Sequence, residues 1–175
     1  MILLTFALVV LVIYLVFFVA QFINIIFRGY APFVSTDRET IRKIMAAVEI
    51  KEPAVIYELG CGRARFLKLA ARVWPKAELI GAENIFNLYL LNKIGLKLRG
   101  SKIKLLKKDF FTVDLKNAAL IYCYLNGPTM ARLGEKFRQE CLPGTQIVSR
   151  RFSMPQFKPD KMLIIKGKKV YFYKI

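Results

Sequence analysis

The 175-residue chain contains no histidine. That absence removes Ser-His-Asp and Cys-His nucleophilic chemistry, histidine general-base catalysis and most zinc sites together. Any enzyme built on this sequence works mainly by positioning its substrates. Cysteine is scarce as well. Cys61, Cys123 and Cys141 are odd in number and lack metal-ligand spacing. They indicate no disulfide framework and no metal site, and they suit a reducing compartment. Acidic residues are few, with 12 Asp and Glu against 29 Lys and Arg, for a net charge of +17. The first 27 residues carry no charged side chain whatever.

Met1 to Phe27 therefore stands apart, with Thr5, Gln21 and Asn24 as its only strongly polar side chains. As one helix it rises about 40 Å, against a hydrocarbon core of about 30 Å. A cleavable signal peptide has a basic leader, a shorter apolar run and a small-residue exit, none of which is present. The expectation is one uncleaved transmembrane anchor over residues 1–27. Arg28, Arg38, Arg42 and Lys43 follow it, so the positive-inside rule places the remainder in the cytoplasm or on the equivalent face of an organelle membrane. All the charge lies in that remainder. Attraction to anionic lipid headgroups is the preferred reading of it, ahead of nucleic acid.

Residues 28–52 read as a linker and an amphipathic helix, with Thr36-Asp37-Arg38-Glu39 as a capping-box pattern ahead of Ile41, Ile44, Met45 and Val48. Residues 53–175 read as one α/β domain without internal repeats. Its organising stretch is Val55-Ile56-Tyr57-Glu58-Leu59-Gly60-Cys61-Gly62-Arg63-Ala64-Arg65-Phe66, an apolar strand, a glycine turn and the start of a helix near Arg63. Gly60 and Gly62 allow a sharp bend and close ligand approach, and the helix N-terminus aims free N–H groups at the same place. A dinucleotide fingerprint requires a small residue where Arg65 stands. Acid-x-Gly-x-Gly fits instead, and Glu58-Leu59-Gly60-Cys61-Gly62 resembles motif I of the class I S-adenosylmethionine (SAM) methyltransferases.

Further along, Glu78 to Glu83 reads as a second strand ending in an acid, placed to accept both hydroxyls of a ribose. Asn84 follows as a cap for a helix carrying Phe86, Leu90, Leu91 and Ile94. After a third strand at 103–106, Asp109 and Phe110 suit adenine, the carboxylate accepting from the exocyclic amine and the ring packing on the base. A solvated acid beside core phenylalanines is the other reading of that pair. Ala118 to Leu125 is the central fourth strand, buried on both faces. It delivers Tyr124 and Asn126 to the switch point, where donor meets acceptor, although one of Tyr122 and Tyr124 is expected to be a core aromatic with a satisfied hydroxyl. A fifth strand at 144–149 and a hairpin over 162–173 complete a Rossmann-like sheet with a terminal antiparallel hairpin.

In this order the chain resembles the membrane-anchored protein-lysine methyltransferases of the ATP synthase c subunit and adenine nucleotide translocase, with their prokaryotic relatives. The resemblance rests on the N-terminal apolar helix, Gly29-Tyr30-Ala31-Pro32-Phe33-Val34-Ser35-Thr36, and Glu58-Leu59-Gly60-Cys61-Gly62. It extends through Gly81-Ala82-Glu83-Asn84, Tyr124-Leu125 and Ser149-Arg150-Arg151-Phe152-Ser153-Met154-Pro155. The family carries an acid where this chain has Arg63 and a glycine where it has Ala64. The resemblance implies SAM held by Glu58, Gly60, Cys61, Gly62, Glu83, Asn84, Asp109 and Phe110, with Tyr124 and Asn126 on the acceptor side. It implies a lysine of a membrane-embedded protein as acceptor. The rival readings are methylation of lipid or RNA, or a membrane tether that has lost catalysis.

Overall fold

A computed structural model describes residues 2–27 and 35–175, with side chains in the first segment described for residues 3–19. The chain divides into two compact units, Met1–Pro32 and Phe33–Ile175. The first is a single helix, α1 (Ile2–Phe27). Among the described residues no helix is long and apolar enough to cross a membrane. The described side chains of α1 cover about 26 Å of rise, short of a hydrocarbon core, whereas its full backbone runs to about 39 Å. The connecting turn, including Arg28 and the Gly29–Val34 portion of the family-like segment, lies outside the described residues.

The second unit opens with α2 (Arg38–Met45), whose Ile41 and Ile44 are fully buried. Its cap is Asp37, which accepts from the Thr40 backbone N–H at 3.1 Å and the Thr40 hydroxyl at 2.7 Å. The capping-box reading put the cap at Thr36. That hydroxyl is instead spent 2.7 Å from the Tyr122 hydroxyl, buried in the core. Seven strands follow: β1 (Val55–Leu59), β2 (Glu78–Ala82), β3 (Lys104–Leu106), β4 (Leu120–Cys123), β5 (Gln146–Arg150), β6 (Lys161–Ile165) and β7 (Lys168–Lys174). Between them run α3 (Arg65–Val73), α4 (Phe86–Lys97) and α5 (Gly127–Glu140).

The strands form one sheet in the order β3-β2-β1-β4-β5-β7-β6. β1 to β5 are parallel, and β7 runs antiparallel to both β5 and β6. This is the Rossmann-like methyltransferase sheet with its closing hairpin. The chain winds outward from β1 to β3, then returns to β4, so its switch point lies between β1 and β4. Glu58 is in register with Tyr122, and Tyr122 with Val148. Two residues on, Gly60, Tyr124 and Arg150 continue that row on the same face at the carboxyl edge. Tyr122 stacks on Phe66 of α3 with ring centroids 4.3 Å apart, fixing that helix over the row.

The boundaries differ from the sequence reading in ways with clear causes. α3 begins at Arg65, two residues late, because Gly62 and Ala64 both hold left-handed backbone (φ 48° and 49°). Ile85, not Asn84, is the N-cap of α4, and no side chain caps that helix. The grouped residues Phe86, Leu90, Leu91 and Ile94 of α4 are exposed, while its Asn92 and Leu96 are buried.

Candidate active site

The turn after β1 is pinned from β2. Cys61 N–H donates to the Ala82 carbonyl at 2.9 Å, and Gly62 N–H donates to Glu83 Oε2 at 2.8 Å. Gly60 has φ +68°, and a Cβ there would stand 2.8 Å from Leu125 Cδ2. Only glycine lets this bend pass so close to the end of β4. Cys61 is buried, so it contributes its backbone and packing rather than a reactive thiol, and burial pushes that thiol far above its usual range. Arg63 is exposed, and its carbonyl accepts from Lys68 Nζ at 2.8 Å.

Glu83 is 6 % exposed, and each of its carboxylate oxygens already takes one backbone donor, Oε2 from Gly62 and Oε1 from Ile85 at 2.8 Å. Burial raises its pKa against the pull of the Ile85, Gly62 and Asn84 backbone donors. A carboxylate has about four acceptor sites, so acceptor capacity remains beside these three donors. Glu58 behaves differently. Burial pushes its pKa up to about 8, opposed by the Leu67 and Phe66 backbone donors, and its Oε2 accepts from Leu67 N–H at 3.2 Å. Burial thus favours its neutral form, and its carboxyl ties β1 to the first turn of α3.

Glu83 N–H donates to the Leu106 carbonyl at 3.0 Å, which sets the loop after β3 beside the same sheet edge. There Asp109 accepts from Phe111 N–H at 3.0 Å and caps a 3-10 turn, Phe110–Thr112. Phe110 is buried against Phe111, with ring centroids 4.9 Å apart. Asn126 caps α5, its side-chain oxygen accepting from Thr129 N–H at 2.9 Å. The structure thus gathers Glu58, Gly60, Cys61, Gly62, Glu83 and Asn84 at one turn. It sets Asp109 and Phe110 on the β3 side and Tyr124 and Asn126 on the β4 side.

One buried charged group at this edge has no local signal in the sequence. The Arg150 guanidinium, 5 % exposed, lies 3.7 Å from Asp37 and 4.7 Å from the centre of the Tyr124 ring. Among the described residues its Nε and Nη1 and the Tyr124 hydroxyl have no hydrogen-bond partner. Tyr122, by contrast, is the satisfied core tyrosine. The signal was there in a resemblance, since Ser149-Arg150 opens one family-like segment and Thr36 closes another, and Asp37 comes next. Nothing local says that the two meet.

These features fit SAM. A ribose hydroxyl needs an acceptor, and Glu83 keeps acceptor capacity for it. Arg150 and Tyr124 hold unspent donors at the ends of β5 and β4. Fold and site together are those of a class I SAM-dependent methyltransferase.

The chain belongs to the family of the ANTKMT methyltransferase domain, which it matches over residues 58–161. A protein-lysine N-methyltransferase of Saccharolobus islandicus (strain REY15A) is 26% identical over 139 residues, 77% of this chain and 84% of that protein. Among solved structures, an RNA methyltransferase from Salinibacter ruber in complex with S-adenosyl-L-homocysteine superposes with a TM-score of 0.76 at 26% identity, covering 81% of this chain and 94% of that one. A SAM-dependent methyltransferase from Geobacter sulfurreducens in complex with S-adenosyl-L-homocysteine shares the fold, with a TM-score of 0.56 at 18% identity over 65% of this chain and 48% of that one. The protein is a SAM-dependent N-methyltransferase.

Ala64 explains the family's glycine at this place. A left-handed alanine is strained by roughly 1 kcal/mol. Ala64→Gly is expected to raise the unfolding free energy by up to about 0.5 kcal/mol, once the added freedom of the unfolded chain is subtracted. Urea denaturation checks this, and a lower midpoint for the variant would count against strain at the turn.

Proposed function

We propose that this enzyme methylates a lysine side chain of a membrane protein, from a catalytic domain anchored to the bilayer by α1. The observation that carries the acceptor class is the β4 edge itself. Tyr124, Asn126 and Arg150 line it, with no histidine, aspartate or glutamate among them. A hydroxyl acceptor needs a proton removed as it attacks. An amine, once neutral, attacks with a free lone pair. SAM, when bound, supplies an electrophilic methyl group on a sulfonium. The chain's own part is to hold the acceptor in line at near-attack distance and to exclude water, which favours the uncharged amine. That the Saccharolobus relative is a protein-lysine methyltransferase along most of its length supports lysine as the amine.

The membrane part rests on α1, with 26 residues, no charge, and every described side chain exposed. Such a surface calls for a lipid or protein cover. Arg28, Arg38, Arg42 and Lys43 beyond it set the catalytic domain on the cytoplasmic side or its organelle equivalent. Tethering raises the effective concentration of a membrane-embedded target without new contacts. RNA is the second reading, because the Salinibacter structure is an RNA methyltransferase and a charge of +17 suits phosphate.

Methyl-labelled SAM, added to membranes carrying the full chain, separates these readings. The label is expected to be released by protease and recovered as methyl-lysine. Label that follows the lipid extract or disappears with nuclease would overturn the proposal.

A further inference from the structure

α4 shows solvent its apolar side. Phe86, Leu90, Ile94 and the C-cap Leu98 are spaced four apart and form one stripe, with Leu91 beside it. Their exposures are 53%, 39%, 49% and 82%, and Leu91 is 70% exposed, whereas Asn92 and Leu96 on the opposite side are buried. Isolated exposed apolar residues are ordinary. Five adjacent ones on one helix require a cover.

The charge around the stripe says what kind. Residues 84–108 contain seven Lys and Arg and no Asp or Glu. Lys107 Nζ lies 5.1 Å from the centre of the Phe86 ring, and Lys93 Nζ lies 5.3 Å from that of Tyr89. Lys97 and Arg99 flank the far end. Lys104 is paired, with Glu78 at 2.6 Å. A second copy would press an acid-free basic rim against its own image, because a two-fold contact brings the same patch to both sides. An uncharged segment would cover the stripe and leave the rim without counter-charge. An anionic bilayer answers both at once, its acyl boundary taking the apolar face and its phosphates the lysines.

We propose that α4 is an interfacial membrane helix, with Phe86, Leu90, Leu91, Ile94 and Leu98 entering the headgroup boundary of an anionic bilayer and Lys93, Lys97, Arg99 and Lys107 meeting its phosphates. This deepens the proposed membrane location by adding a second contact independent of α1. α4 starts two residues after Asn84, so the contact holds the donor turn close to the bilayer surface and orients the catalytic edge.

The full chain is reconstituted in vesicles of phosphatidylcholine alone and in vesicles where phosphatidylglycerol replaces part of it, and backbone amide exchange is read over residues 86–98. Exchange is expected to be at least about tenfold slower on the anionic vesicles, and part of that protection is lost in high salt. Leu91→Gln combined with Ile94→Gln removes the difference, while unchanged exchange in β1 and β4 reports an intact fold. Equal exchange on the two vesicles, despite co-flotation of the chain with both, overturns the role of α4 and leaves the α1 reading standing. Protection that tracks protein density instead of lipid charge identifies a second copy and overturns it too. A chain that floats with neither vesicle overturns both membrane proposals, without touching methyl transfer.

Discussion

Glu58→Gln is expected to be more stable than the natural chain at pH 8, and equal to it below about pH 4.5. Burial lifts the Glu58 carboxyl from 4.5 to about 8 in the folded protein. Between those values the unfolded chain has lost the proton and the folded chain keeps it. Folding then takes up a proton, so the stability that Glu58 allows is fully present below about pH 4.5 and is lost as pH rises toward 8. The slope is about 1.4 kcal/mol per pH unit, which accumulates to several kcal/mol across the window. Glutamine imitates the neutral acid, can still accept from Leu67 N–H, and does not titrate. Denaturant midpoints of the two chains at a series of pH values test this. Parallel profiles would mean that Glu58 is ionised in the fold.

Glu83→Ala is expected to bind SAM roughly 10- to 100-fold more weakly, from about 1–3 kcal/mol for buried partners left unpaired. The carboxylate is asked to do two things here. It holds the Gly62 and Ile85 N–H groups, and it keeps acceptor capacity for the ribose. Titration calorimetry of Glu83→Gln beside Glu83→Ala separates them, since the amide oxygen preserves one backbone contact and loses the second acceptor. Because burial raises the Glu83 pKa, donor affinity is expected to fall on the acid side sooner than an ordinary glutamate would dictate. Donor affinity unchanged in both variants would remove Glu83 from the ribose role.

The glycine turn and the two acids beside it were legible because their signals are local. Glu58-x-Gly60-x-Gly62 is a steric statement about one bend, and the acid ending β2 follows from strand alternation and the topological switch. The acceptor half was less so. Tyr124 lies at the carboxyl edge of β4, yet its neighbour Arg150 belongs to a strand 26 residues further on, and Asp37 to a helix before β1. Thr36 was read as a cap because its neighbours spell one, and a tyrosine 86 residues away claimed its hydroxyl. Ala64 falls inside the helix expected from Arg63, because backbone handedness leaves no trace in composition.

What the residues determined by themselves was the order of elements, the charge asymmetry, the uncharged leading helix and the glycine turn. Each of these depends on periodicity or sterics within a few residues of chain. Tertiary structure decided which groups are neutral, which polar atoms lack partners and which side of α4 faces out. Burial and pairing depend on what packs against a residue, and for Glu58, Arg150 and Leu91 that neighbourhood is assembled from strands and helices far apart in the chain.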